Sequence, residues 1–170
     1  MGIALLAVTA LAISTATTDY AAVRREIQDI YNRASAASVH ARTLADLDAI
    51  HRWLDTPDCV FADYRQPHRT WSEMRPYAEQ GLRTRLKSFS SEIASLVVQG
   101  NMATTTAVVR GVAAVADAQG QFGPKGAVHD IETTATVRDV WVKADDRWRR
   151  RSHDKIINNR VTSVDGKVIR

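Results

Sequence analysis

Two basic segments and a histidine near the carboxyl end of the chain could bind and act on an anionic group. A turn is expected near Asp145-Asp146, and antiparallel pairing across it would place Arg138 opposite Arg151, with His153 further along the same side. Such a cationic cluster suits a carboxylate, an enolate or a phosphate. Because the imidazole of a histidine titrates near neutral pH, His153 is a candidate general acid or base.

The opposite face of the same strand pair is the alternative lining. The pairing above sets Val142 against Arg147 across a four-residue turn. The other face then carries an apolar set and an acid–base pair: Val137, Trp141, Trp148, and Asp139 against Arg150. A slip of one residue or a bulge would exchange the two faces, so the sequence leaves open which one lines a site.

The basic residues also have a structural explanation. Exposed arginines keep a strand solvated or face a second copy of the chain, and we prefer this explanation for Arg147 and Arg149. A lone histidine on a strand is also more often structural than catalytic. Both explanations of His153 therefore stay open.

Several common chemistries lack their motifs. The other histidines have no ligand spacing, so we expect no metal site: His40, His51, His68 and His129. Gly120, Gly123 and Gly126 lie between two predicted strands, which indicates a hairpin loop and not a phosphate cradle. No GxSxG motif occurs, and Cys59 precedes an apolar strand, where it is expected to pack as a small hydrophobe. We expect no cofactor.

Composition points to one globular domain. The chain has 170 residues, of which 45% are hydrophobic and 25% charged, and its formal net charge is +4. One cysteine excludes a disulfide framework and any multi-cysteine metal site. The small positive charge predicts weak attraction to anionic surfaces, and no basic motif interleaved with aromatic residues indicates specific nucleic-acid binding.

The amino-terminal segment is uncharged and apolar. Residues 3–13 read IALLAVTALAI, followed by small residues up to Thr18. This run is too short for a transmembrane helix, which takes about 20 residues. It resembles a secretory signal, although no Lys or Arg precedes it. Residues 1–18 are therefore interpreted as a signal peptide or a disordered extension, with export to the periplasm or beyond in the first case and a cytoplasmic location otherwise.

Helical patterns dominate the first half of the chain after residue 18. A stripe from Val23 to Ala34 predicts one amphipathic helix capped by Thr18 or Asp19. Thr43 and Asp46 begin a second helix that runs to about Asp55. A short strand is expected over residues 59–64, and Thr70 with Glu73 predicts the start of a third helix, in which Pro76 is a conflict.

Long β-rich segments fill the second half. They are separated by turn residues and cover residues 89–98, 102–116, 128–143 and 147–157, with a further hairpin at Asp165-Gly166. Helices followed by an antiparallel meander predict an α+β fold: a cone-shaped barrel in which N-terminal helices pack on a curved sheet and enclose a pocket. The domain is expected over residues 19–157, with residues 158–170 forming a tail or short hairpin.

This order of elements resembles the nuclear transport factor 2-like (NTF2-like) superfamily, which includes ketosteroid isomerase, scytalone dehydratase and the SnoaL polyketide cyclase. The resemblance rests on three sequence segments: LADLDAIHRWLDTPDCVFAD (residues 44–63), VVQGNMATTTAVV (97–109) and TATVRDVWVKADDRWRR (134–150). It implies the fold more strongly than the chemistry, because one scaffold carries unrelated functions.

The resemblance also implies site residues. Asp63 matches the strand-end carboxylate that acts as the proton-transfer base in isomerase-like members, and Tyr31 matches the phenolic donor on the first helix. Arg138 stands where the isomerase has a second acid, so the isomerase reaction itself is in doubt and Arg138 would bind an oxygen as a fixed cation. Structural explanations remain open: a strand-end aspartate that accepts turn hydrogen bonds, and a core tyrosine.

Two aromatic residues complete the set of candidates. Tyr64 and Trp71 are expected either at the rim of the pocket or as a seal between helix and sheet. The catalytic candidates are thus Asp63, Tyr31 and His153, and the ligand-binding candidates are Arg138, Tyr64, Trp71 and Arg151.

The resulting expectation is a small-molecule-binding domain that performs a cofactor-free isomerisation, cyclisation or dehydration on a hydrophobic or oxygen-bearing ligand. The alternative is a non-catalytic module that uses its open sheet for homodimerisation or to hold a protein partner. The resemblance implies a homodimer in either case.

Overall fold

The computed structural model describes residues 19–82 and 84–169. The predicted signal-like segment, residues 1–18, lies outside them. Three helices and seven strands follow in the order α1, α2, β1, β2, α3 and then β3 to β7. None of the helices in this described part has the length and apolarity that a membrane crossing takes.

Helix α1, Tyr20–His40, begins where the sequence predicts. The Asp19 side chain accepts a hydrogen bond from the backbone of Ala22, which satisfies one of the free N–H groups of the first turn. The predicted stripe is buried at Val23, Ile27 and Tyr31. This face packs on the sheet because apolar residues three and four apart share one side of a helix.

Helix α2, Leu44–Leu54, has the expected capping box, in which Thr43 and Asp46 each accept from the other's backbone. Helix α3, Trp71–Gly81, contains Pro76 and keeps its helical path around it. At its start the Glu73 carboxylate accepts from the backbone of Thr70, so the predicted start is confirmed.

Most strands are longer than the sequence predicts, whereas the strand over residues 102–116 has the predicted bounds. Their bounds are β1, Asp55–Ala62; β2, Arg69–Thr70; β3, Arg85–Gln99; β4, Met102–Ala116; β5, Val128–Ala144; β6, Arg147–Val164; and β7, Lys167–Val168. The predicted start of β1, residue 59, is wrong by four residues. The sequence Thr56-Pro57-Asp58 is typical of a loop that ends a helix, but in the structure these three residues belong to β1.

One open sheet carries all seven strands in the order β2-β1-β6-β5-β4-β3, with β7 on β6. Strands β3 to β6 form the predicted antiparallel meander, and β1 joins it in parallel to β6. Register shifts along β3 and β6 mark bulges, which increase local twist and curve a sheet. The predicted α+β cone is confirmed.

The predicted pairing of β5 with β6 is wrong by two residues beside the turn and by three beyond a bulge at Arg151. Val142 lies opposite Arg149, and Arg138 lies opposite Asp154, so Arg138 and Arg151 do not face each other. The reason is the turn: only Asp145 and Asp146 separate the paired residues Ala144 and Arg147, and both have positive φ, 50° and 56°. Two residues with positive φ match the strand twist better than the four-residue turn assumed from the sequence.

Side chains of α1 fix the helix on β3 at a bulge. The amide of Gln28 donates to the carbonyl of Ser91 at 2.8 Å and accepts from the backbone of Ile93 at 3.1 Å. The Arg24 guanidinium also donates to the carbonyl of Ile93. These bonds satisfy backbone groups beside the register shift between Ile93 and Ser95. They hold α1 in place, and Tyr31 follows Gln28 by one helical turn.

Candidate functional site

A cavity of about 410 Å³ lies between the helices and the concave side of the sheet. That volume is in the range of small-molecule sites, about 300–1,000 Å³. Its wall is mostly apolar and comes from α1, α2 and strands β3 to β5, with residues such as Leu47, Phe89, Val109 and Ile131. Polar side chains of α1, α2 and β6 also line it, and they include Tyr31, Ser35, His51, Arg150, His153 and Lys155.

A carboxylate–histidine pair holds His153 at this cavity. Nδ1 of His153 lies 2.6 Å from Oδ1 of Asp139, which is fully buried. Because a carboxylate only accepts, Nδ1 carries the hydrogen, and in the neutral ring Nε2 then presents its lone pair. In the described part of the chain, both close polar contacts of the His153 ring are at Nδ1, and Nε2 has none. Asp139 lies directly opposite His153 in the β5–β6 pairing, so the corrected register creates the pair.

Tyr31 completes the surroundings of Asp139. Its hydroxyl donates to Oδ2 of Asp139 and lies 2.8 Å from Oγ1 of Thr105, which also accepts from the indole of Trp141 at 3.0 Å. Burial raises the pKa of Tyr31 far above its ordinary value, and the neighbouring carboxylate raises it further. Tyr31 is therefore neutral, and its hydroxyl is bonded to protein groups although its ring lines the cavity.

A second carboxylate–histidine pair involves His51, near the end of α2. Nδ1 of His51 lies 2.5 Å from Oδ2 of Asp55, a buried residue at the start of β1. The ring of His51 stacks on Trp71 with centroids 3.6 Å apart. His51 lines both the main cavity and a neighbouring pocket of about 540 Å³ that Trp71 also lines.

Arg150 connects the two pairs. Its Nε donates to Oδ1 of Asp55 at 2.8 Å, and its Nη1 lies 3.2 Å from Nδ1 of His153. Since that nitrogen carries a hydrogen, the second contact is a cation close to the ring and not a hydrogen bond. Burial alone would lower the pKa of Arg150, but Asp55 and Asp139 outweigh it and raise the pKa above its ordinary value.

Both carboxylates stay ionised. Burial alone would raise the pKa of Asp139, but the charge that His153 carries when it is protonated, the hydrogen bond of His153, and the groups of Arg150 and Tyr31 hold the pKa below its ordinary value. Burial would also raise the pKa of Asp55, but the charge of Arg150 and the hydrogen bond of His51 outweigh burial and lower this pKa. Buried charges are tolerated when they are paired and hydrogen-bonded in this way.

Ser35 adds an unused hydroxyl. It lies one turn after Tyr31 on α1, is 5% exposed and lines the cavity. Its Oγ has no hydrogen-bond partner among the described residues. A buried hydroxyl without a partner costs about 1–3 kcal/mol, so Oγ is a natural contact for a polar atom of a ligand.

The residues predicted from the sequence separate into two groups. Tyr31 and His153 meet through Asp139 at the cavity. Asp63 is exposed at the end of β1, where Nζ of Lys155 lies 2.7 Å from its Oδ1, and this bond lowers the pKa of Asp63. Lys155 itself lines the cavity, so Asp63 is near the cavity but not among its lining residues.

The other candidates lie away from the cavity lining. Arg138 and Arg151 are exposed, because the register places Arg138 on the outer side of β5 and Arg151 in a bulge of β6. Arg151 lies 3.7 Å from Asp58. Tyr64 follows β1 and has the guanidinium of Arg65 over its ring. Trp71 seals α3 against α2 through His51 and through a 2.8 Å bond to Asp48.

Four residues of the site were not among the candidates predicted from the sequence: Asp139, Arg150, Asp55 and His51. A signal existed for the first two, since each occupies an inward position of an alternating strand, beside Trp141 and Trp148. A charged residue at a buried position needs a partner and is a site candidate. His51 and Asp55 are four residues apart, but the sequence places Asp55 at the end of a helix and not at the start of a buried strand.

Comparisons with known proteins identify the fold. No protein-family model matches the sequence, and no curated protein matches it. A conserved protein from Planctomyces limnophilus is 17% identical over 82% of this chain and 99% of that chain, with a TM-score of 0.61. An NTF2-like superfamily protein from Salmonella enterica serovar Typhimurium is 20% identical over 81% of this chain and 92% of that chain, with a TM-score of 0.55.

A protein from Kribbella flavida is also similar, with 14% identity, coverage of 87% of this chain and 96% of that chain, and a TM-score of 0.56. The predicted resemblance is therefore confirmed at the level of structure: this chain has the NTF2-like fold. At these identities the similarity concerns the fold alone, and the chemistry has to be argued from the cavity.

Proposed function

We propose that the protein binds a small apolar molecule with a carbonyl oxygen in the main cavity and moves a proton on it without a cofactor, using His153 as the base. One observation carries this proposal: His153 lines an apolar cavity while its Nδ1 is held by the buried carboxylate of Asp139. A carboxylate in that place fixes the tautomer and orientation of an imidazole and makes Nε2 a better base.

The proposed step is a proton transfer next to a carbonyl group. Nε2 of His153 accepts a proton from the carbon beside the carbonyl, and the electron pair of the broken C–H bond moves into a C=C bond as the carbonyl oxygen becomes an enolate. Return of the proton to another carbon completes an isomerisation. An apolar wall excludes water and strengthens each electrostatic contact inside the cavity.

This proposal moves the role of the base from Asp63 to His153. The bond from Lys155 lowers the pKa of Asp63, which weakens it as a base, and Asp63 does not line the cavity. Tyr31 becomes a positioning residue for Asp139. Ser35 replaces Arg138 as a contact for a ligand oxygen, since its hydroxyl is buried at the cavity and unused.

Binding is tested with two neighbouring alanines on β4 that face opposite sides of the sheet. Ala113 lines the cavity, and Ala114 does not. 2-Tetralone, a bicyclic ketone, should stabilise the wild type by about 2.7 kcal/mol at about 100 times its Kd. Ala113→Phe should abolish this effect, and Ala114→Phe should retain it. Tetralin, which lacks the oxygen, should bind more weakly to the wild type than 2-tetralone.

Proton transfer is tested by exchange of the α-protons of 2-tetralone in deuterated water, followed by NMR. His153→Gln should reduce the exchange rate by about 10²–10⁴-fold. His68→Gln is the matched control, because Nε2 of His68 also lies 2.9 Å from an aspartate, Asp154, but the residue is exposed. Equal rates in the wild type and His153→Gln would contradict the proposal.

A specific observation also favours a second candidate function, homodimerisation through the sheet. The outward residues of β4 and β5 are partly exposed, including Val108 and Val140, and the buried faces of α1 and α2 pack on the opposite side of the sheet. This surface would serve a dimer whether or not the cavity is catalytic.

A further inference from the structure

We infer that His51 is a second catalytic residue of the same cavity, acting as the general acid while His153 acts as the base. This inference rests on the proposed function and adds to it a pair of imidazoles that share one proton. It follows from four features of the described residues: the position of His51, the charge of the buried cluster, the placement of Arg150 and the stacking of Trp71.

His51 has the same arrangement as His153. Each imidazole lines the cavity, and each has its Nδ1 at a buried carboxylate: Asp55 at 2.5 Å for His51 and Asp139 at 2.6 Å for His153. The two come from different elements, α2 and β6. One cavity is therefore lined by two imidazoles, each with its Nδ1 bonded to a carboxylate, as an acid and a base acting on one molecule would need.

The charge of the cluster favours one proton for the two rings. Asp55 and Asp139 are carboxylates, and Arg150 supplies one positive charge between them. Tyr31 and Cys59 are neutral because their pKa values are raised, and Lys155 is matched by Asp63. Arg149 donates to the backbone carbonyl of Asp55 at 3.4 Å, but it is only half-buried, so solvent screens its charge. One negative charge remains, and a single imidazolium brings the buried cluster to neutrality, which low-dielectric surroundings favour.

Two contacts decide which ring carries that proton. The guanidinium of Arg150 lies 3.2 Å from the His153 ring, and two cations that close repel each other. His51 instead stacks on the indole of Trp71, and an aromatic face attracts a cation. Phe61 contacts the same ring edge-on at 5.3 Å and carries no charge. Behind Trp71, Asp48 is matched by Arg75. Arg52 also lines the pocket beside His51, but it is exposed, so solvent screens its charge. These contacts assign the role of acid to His51 and that of base to His153.

The proton balance of the step follows directly. Nε2 of His153 takes the proton of the breaking C–H bond, and Nε2–H of His51 gives its proton to the carbonyl oxygen, so an enol forms without free charge in the cavity. The cluster holds one imidazolium before and after the step, now on the other ring. Reprotonation of the enol carbon by His153, with return of the hydroxyl proton to His51, restores the starting state.

The test measures 2-tetralone α-proton exchange for His51→Gln, His153→Gln and the double variant, with His68→Gln as control. The amide introduced by His51→Gln can still bond Asp55, which limits the structural change. Each single variant should lose about 10²–10⁴-fold, and the double variant should lose little more than either, because residues that act as one unit are not additive. Imidazole added to His51→Ala should restore part of the rate, which a structural role would not produce.

Three outcomes decide between the proposals. Loss in both single variants, with rescue by imidazole, supports the pair. Normal exchange in His51→Gln with loss in His153→Gln overturns this inference and leaves the proposed function intact. No exchange by the wild type above buffer overturns both. Long-range ¹H–¹⁵N NMR at neutral pH is an independent check: a neutral His51 ring together with a charged His153 ring would overturn the assignment of acid and base.

Discussion

Asp139 shows how one buried carboxylate organises several elements. It accepts from Tyr31 of α1 and lies against His153 of β6, while its own strand, β5, is in the middle of the sheet. Two hydrogen-bonding groups from distant parts of the chain thus depend on one side chain. Removing its charge leaves Arg150 with less compensation, and an uncompensated buried charge costs about 3–5 kcal/mol.

We expect Asp139→Asn to lose about 3 kcal/mol of unfolding free energy at pH 7, measured by urea denaturation. The lowered pKa values of Asp139 and Asp55 also set the sign of the pH dependence. A carboxyl group with a lower pKa in the folded state contributes stability that is complete above its unfolded pKa, about 3.9, and is lost as the pH falls through the folded value.

The wild type should therefore lose stability below about pH 4, and Asp139→Asn should lose less over the same interval. Asp29→Asn, an exposed change on α1, is the control and should follow the wild type. A variant that destabilises by under about 0.5 kcal/mol and keeps the full pH dependence would show that Asp139 is not an ionised part of the network.

At the scale of residues, the sequence indicated Tyr31 and His153 but not their shared partner. Tyr31 is a candidate because it lies on an apolar helical stripe, and His153 is a candidate because the imidazole of any histidine titrates near neutral pH. The sequence places Asp139 opposite Arg150, on the alternative face of the strand pair, and not opposite His153. Its burial depends on which side of β5 faces the helices, and alternation alone does not decide that side when both faces mix polar and apolar residues.

The two-residue turn between β5 and β6 sets the geometry of the site at the scale of elements. Asp145 and Asp146 both have positive φ, and the register that they set, together with the bulge at Arg151, places Asp139 opposite His153. The meander of β3 to β6 was predictable from periodicity and turn residues. The register was not, because the identity of the turn residues alone allowed a loop of two or of four residues.

Replacing Asp146 by Gly should stabilise the protein by about 0.5–1 kcal/mol, because glycine adopts positive φ without the steric cost of a Cβ. The turn between β6 and β7 already has this pattern, with Asp165 at φ 49° and Gly166 at φ 75°. Thermal denaturation measures the change.

The reciprocal change, Gly166→Asp, should destabilise by a similar amount and is the control. If Asp146→Gly were neutral or destabilising, the left-handed conformation at this turn would not be limiting stability, and another contact would have to fix the register.

At the scale of the whole molecule, the helices cover one side of a sheet whose other side stays open. The outward residues of β4 and β5 include Thr106, Val108, Thr136 and Val140, which are partly exposed. The homodimer implied by the family resemblance stays a prediction, and this surface is where it would form. Unlike the fold, an oligomeric state is a property of two chains, so periodicity and turn residues do not predict it.

We expect a dimer in analytical ultracentrifugation, and Val108→Arg should convert it to a monomer. Val108 lies in the middle of β4, opposite Glu92 and Thr136. Val128→Arg is the matched control, since Val128 is 66% exposed at the end of β5. A wild type that sediments as a monomer at all concentrations would contradict the prediction without affecting the cavity.

The parallel pairing of β1 with β6 has a consequence for how the protein folds. Asp55 and Arg150 are 95 positions apart, and Tyr31 and Asp139 are 108 apart. Contacts at such separations form late, because the entropy of closing long loops must be overcome before they stabilise anything. The helices and hairpins can form during synthesis. The cluster of Asp55, Asp139, Arg150 and His153 can form only after residue 153 has been synthesised. Completion of the cavity therefore coincides with the final, slow step of folding.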